Sequence, residues 1–203
     1  SIRRQRQMCI RDRADIVINV TQDGSDSDAT STLTDDVELT AENLAVSKIA
    51  VSSDQLEEMT QTSWHLEIHD ETCYRNPNTG WLTGTGTFLT LELVNARPTD
   101  YSFLPDGTYT VDGEPTTDPE TGLQQYRIPA VAAGKYTRPG FYGASSFVRY
   151  EEGTETEGTG IYGGTVTVSR EGDVYTLVFD LKDDAENTIS GTYTGTITEY
   201  VVQ

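Results

Sequence analysis

The feature that most restricts this chain is a strict two-residue alternation of apolar and polar side chains, repeated in short runs and broken by turn residues. In "SWHLEIHD" Trp64, Leu66 and Ile68 fall on one side, and His65, Glu67 and His69 on the other. "FLTLELVN" places Leu89, Leu91 and Leu93 together, and "VYTLVFDLK" does the same with Tyr175, Leu177, Phe179 and Leu181. Period two is the signature of a strand with one buried face. No segment sustains the 3.6-residue period of a helix. "REGD" and "DDAEN" fall between such runs and predict hairpins. The expected fold is all-β and mostly antiparallel, with about eight or nine strands. It is either a barrel-like meander of the lipocalin or calycin kind or a two-sheet sandwich.

Domain limits follow from where the alternation starts. "ADIVINVTQDG", residues 14–24, alternates Ile16, Ile18 and Val20 with polar neighbours and reads as a strand ending in a turn at Asp23 and Gly24. "SDSDATSTLTDD", residues 25–36, is almost devoid of apolar groups and reads as a linker. It lacks the glycine and closing glutamate of a calcium loop. The main domain is expected to run from 37 to 203, with one turn of helix in "SDQLEEMTQ".

Residues 1–13, "SIRRQRQMCIRDR", do not fit this picture. They hold five arginines in a chain whose formal net charge is −19. They lack the apolar stretch that follows the charges of a signal peptide. "RRQRQMCIRDR" resembles the translation of a transposon-end sequencing adapter, and the head is expected to be an unpacked artefact. Without it the chain is more acidic still, Cys73 is its one cysteine, and the fragment is expected to begin mid-protein, which leaves room for a leader or lipid anchor upstream. The acidity argues against nucleic acid and anionic membranes as partners.

"LPDGTYTV" and "GTVTVSREGDVYTLVFDLKDDAENTISGTYTGTI" resemble the β-rich C-terminal domains of Bacteroidetes-type exported lipoproteins. "ADIVINVTQDG" is similar to the last strand of a BACON domain, an immunoglobulin-like module that precedes such domains. That likeness implies that residues 14–24 are the terminal strand of a truncated immunoglobulin-like domain. The resemblance implies export and display at the cell surface or in the periplasm. It brings no catalytic residues with it.

Chemistry-bearing residues are few. His65, Glu67 and His69 can ligate zinc by type, but parallel side chains on one strand do not converge, so a solvated face is expected and no metal or other cofactor. Glu151, Glu152, Glu155, Glu157, Asp183 and Asp184 offer carboxylates in polar turns, where solvation explains them. No nucleophile elbow or phosphate-cradling glycine loop is present. The better candidate is aromatic. Tyr136, Arg138, Phe141 and Tyr142 cluster in "GKYTRPGFYG", and Trp81 follows the turn in "NPNTGW". Rings held on loops suit stacking on sugars or docking on a protein, and the alternative is that they plug the end of the barrel as core. The expected function is therefore a non-catalytic, monomeric binding or structural domain, with a glycan or another surface protein as partner. A glycan-active enzyme or small-ligand barrel is the first alternative, and a spacer or adhesin-stalk module the second.

Overall fold

The computed structural model describes residues 31–39, 44–51, 60–70, 72–76, 78–120, 122–136, 143–197 and 200–202, with the backbone alone in 44–51 and 200–202. The arginine-rich head, the 14–24 strand, the helical turn expected near residue 55, and Arg138, Phe141 and Tyr142 lie outside the described residues. The described residues are all-β: they contain no helix, and so none long and apolar enough to cross a membrane.

The first strands are β1 (Val37–Leu39), β2 (Leu44–Val51) and β3 (Gln61–Asp70), followed by a small hairpin of β4 (Cys73–Arg75) and β5 (Leu82–Gly84). Next come β6 (Gly86–Ala96) and β7 (Gly107–Asp112), then an arm of β8 (Thr116–Thr117) and β9 (Gln124–Gln125). β10 (Ala130–Ala132), β11 (Ser146–Glu151) and β12 (Thr154–Gly160) lead into β13 (Gly163–Glu171) and β14 (Val174–Lys182). β15 (Thr188–Gly195) and β16 (Tyr200–Val202) close the series.

Twelve strands form one sheet, ten of them in the order β1-β15-β14-β13-β7-β10-β6-β3-β2-β16. β11 joins the same edge of β6 that β10 uses, at Gly86–Thr90 rather than at Leu93–Val94, and carries β12 with it. The path is open, since no ladder joins β1 to β16 among the described residues. One expectation needs correction. Sixteen strands are present among the described residues rather than eight or nine, because strands of two or three residues are too short to alternate visibly. The sheet is mostly antiparallel, as expected, but not purely so: β1 with β15, β10 with β7, and β16 with β2 run parallel. Parallel partners are joined by long connections and leave no local turn signal.

The alternation places the core as expected. Trp64, Leu66, Leu91, Leu93, Leu177 and Leu181 are fully buried and share one cluster with Tyr109, Phe147, Val166, Phe179 and Ile189. Each such side chain contributes about 1.5–3 kcal/mol by leaving water. Polar atoms carried inward with the rings are paired. Trp64 Nε1 donates to Asn95 Oδ1 at 3.0 Å, and the Tyr109 hydroxyl donates to Pro105 O at 2.8 Å.

Residues 31–36, expected as linker, belong to the folded unit. Leu33 is buried in the main cluster, and Thr32 exchanges hydrogen bonds with Gly158 of β12. Ser31 Oγ donates to Asp183 Oδ2 at 2.7 Å. A single leucine in a polar run carries no periodicity, so this docking was hidden.

Candidate functional site

The outer face of the β3–β6 pair is the part of the sheet most heavily built with polar groups. Register sets Ser63 opposite Val94, His65 opposite Glu92, Glu67 opposite Thr90 and His69 opposite Phe88. This face was expected to be solvated. It is instead covered in part, and Glu67 and His69 are buried. The cover is the β4–β5 hairpin, whose Cys73 and Leu82 pack with Phe88, Val148 and Tyr150 in a second small core.

The hairpin is held by charge as well. Arg75 Nε donates to Glu67 Oε1 at 2.8 Å, and the guanidinium lies 5.4 Å from the centre of the Phe88 ring. Its base is pressed so closely that a Cβ at Gly84, where φ is +94°, would lie 1.8 Å from Thr72 O. Only glycine tolerates that approach.

His65 sits between two carboxylates, with Nε2 3.6 Å from Glu67 Oε1 and Nδ1 3.1 Å from Glu92 Oε2. Glu67 and then Glu92 raise its pKa to about 9, against the opposing effect of burial. Burial pushes the Glu67 carboxyl up, but His65 and Arg75 outweigh it and hold that group below its ordinary value. The arrangement is a neutralised ion network. An imidazolium that keeps its proton at neutral pH cannot serve Ser63, two residues away, as a general base.

The three zinc-type residues do not converge. His69 turns away, with Nδ1 2.8 Å from Asp70 O and its ring stacked on Phe88 at 5.6 Å. Among the described residues no three His, Cys, Asp or Glu side chains gather as a metal ion requires. Burial, then the charge of Asp70, raises the Cys73 thiol to about 11, so it stays a protonated, apolar side chain.

The aromatic candidates separate. Trp81 is 75% exposed at the tip of the β4–β5 hairpin. Tyr136 is buried, and its hydroxyl donates to Glu155 Oε1 at 3.2 Å, so its ring is part of the packing rather than a stacking surface. Arg138, Phe141 and Tyr142 fall outside the described residues.

Tyr74 was missed by sequence reasoning. It pairs with Thr83, and Asn76 N donates to Trp81 O at 2.8 Å, which extends the same register by two residues. Tyr74, Thr83 and Trp81 therefore share the hairpin face turned away from the sheet, and Tyr74 is 46% exposed. Pairing "CYR" with "LTG" around the "NPNTG" turn would have revealed this.

Four of the six turn carboxylates, Glu155, Glu157, Asp183 and Asp184, have structural partners, while Glu151 and Glu152 are exposed. Glu157 pairs with Arg149, and Asp183 is buried and accepts hydrogen bonds from Ser31, Ala185 and Asn187. Comparison with protein-family models, curated proteins and solved structures finds no match to this chain.

Proposed function

We propose that this chain is a non-catalytic binding domain that takes an uncharged glycan on the solvent face of the β4–β5 hairpin. One observation carries the reading: Trp81, 75% exposed, shares that face with Tyr74. Two exposed rings on one face of a fixed hairpin make an aromatic platform, and indole and phenol faces suit the apolar faces of sugar rings. The hairpin is fixed by Arg75, Glu67 and a small core of its own, so little order is lost on binding. The formal net charge of −19 disfavours acidic polysaccharides and favours neutral ones.

The resemblance to exported lipoprotein domains supports a place at the cell surface or in the periplasm, where such glycans occur. We read the architecture as barrel-like rather than a sandwich. From β1 through β15, β14, β13, β7, β10 and β6 to β3 the inward faces share a single core, and β15 is followed within a few residues by β16 beside β2.

Affinity electrophoresis through gels containing neutral polysaccharides tests the function. At least one polysaccharide retards the protein, and Trp81→Ala and Tyr74→Ala each restore free migration while the melting temperature holds. Retardation unaffected by both substitutions would place binding elsewhere.

A further inference from the structure

The far end of the same outer face is covered by a different element. Between the sheet and the β8–β9 arm lies a cleft of about 520 Å³. Val94 and Ala132 line its sheet side, Leu123 and Tyr126 its arm side, and Ser63 and Glu92 supply polar groups. The volume is within the range of small-molecule sites.

Its walls are fixed independently of any occupant. Gln61 Nε2 donates to Tyr126 O at 2.8 Å, and Tyr126 N donates back to Gln61 Oε1 at 3.0 Å. Just beyond, Arg127 N donates to Asp112 Oδ2 at 2.8 Å, and the two side chains form an ion pair. The cleft is thus held open at one width, and a ligand need not pay to order it.

The polar groups point to a ligand. Ser63 Oγ is sheltered from water and has no hydrogen-bond partner in the protein, a state that folded chains rarely leave uncompensated. Glu92 presents a carboxylate of which His65 engages only Oε2. The neighbouring segment carries Glu114, Asp118 and Glu120, outside the lining itself. The cation of that segment, Arg127, is already committed to Asp112. The His65 imidazolium offsets the Glu92 charge at the site itself. The surrounding excess of acid, in a chain of formal net charge −19, still favours a cationic head over an anionic one. The remaining walls are apolar and suit a hydrocarbon body.

We propose that this cleft binds a small amphipathic cation, with an ammonium or guanidinium head at Glu92 and Ser63 and an apolar body between Val94 and Leu123. The site is separate from the Trp81 hairpin and does not depend on glycan binding there.

Three probes with one body and different heads test this: phenethylamine, 2-phenylethanol and phenylacetate, titrated into ¹⁵N-labelled protein. Phenethylamine should shift the backbone amides of Ser63, Glu92 and Leu123 saturably, with phenylacetate at least about tenfold weaker for want of the charge-paired hydrogen bond. Glu92→Gln should erase the preference for the amine, and Ala144→Phe, which adds bulk to the cleft wall and leaves the Glu92 carboxylate in place, should weaken all three probes. Equal affinity for the three heads overturns the proposal. So does the absence of saturation below about 10 mM, or shifts confined to residues outside the cleft. The comparison of heads in the unaltered protein decides the matter even if a variant fails to fold.

Discussion

The chain has two tryptophans, and they sit in opposite circumstances. Trp64 is fully buried on the inner side of β3, with its Nε1 satisfied by Asn95, while Trp81 stands 75% exposed on the hairpin that lies over the outer side. Both follow from strand alternation, yet one ring is surrounded by the core and the other is offered to solvent. The same contrast holds for the polar groups. The Asp183 carboxylate is buried with every nearby donor directed at it, from Ala185 N, Asn187 N and Nδ2, and Ser31 Oγ. Ser63 Oγ is sheltered and unpartnered. Groups that are completed within the chain build the fold, and the incomplete ones mark where something else is meant to fit.

Substitutions can break this contrast, beginning with the largest expected effect. Trp64→Ala removes the biggest buried side chain and orphans Asn95 Oδ1, and should lower unfolding free energy by about 3–5 kcal/mol in urea. Asp183→Ala strands the donors that tie residues 31–33 to the β14–β15 corner, and should cost about 3 kcal/mol. A loss below about 1 kcal/mol would mean that residues 31–36 are the linker their composition suggests.

A pH dependence sharpens the comparison from the outer face. The folded pKa of His65, about 9, lies above its ordinary 6.5. Its contribution is therefore complete below about pH 6.5 and is lost as the pH rises through 9. Stability should fall across that window, and His65→Gln should flatten the fall. An imidazole titrating near 6.5 by NMR would contradict the ion network.

The smallest effects belong to the incomplete groups. Ser63→Ala and Trp81→Ala should each change stability by less than about 0.5 kcal/mol, because neither removes a contact that folding relies on. A clear destabilisation by Ser63→Ala would show that its hydroxyl is completed after all.

Much of the inner face was legible in the sequence. Long alternating runs such as those at Trp64 and Leu177 state their own period, and hairpins announce themselves at "REGD" and "DDAEN". The outer face was legible only in its residues. His65 and Glu67 were read correctly as opposite to the core, but their covering was not, because β4 and β5 have three residues each and carry no pattern. Parallel pairings and the docking of Leu33 depend on contacts between distant parts of the chain, which no local signal records. Tyr136 shows the limit for single rings: the local sequence allows either an exposed ring or one that plugs the core, and the close approach of Glu155 and Gly158 that decides for burial is tertiary.

Tryptophan emission reads both sides of the contrast in one titration. Trp64 should emit at short wavelength and Trp81 at the long wavelength of an exposed indole. On adding a neutral polysaccharide that retards the protein, the long-wavelength component should shift blue and saturate, with the short-wavelength component unchanged, and Trp81→Phe should abolish the response. A response carried by Trp64, or retained in Trp81→Phe, would contradict the assignment of binding to the hairpin.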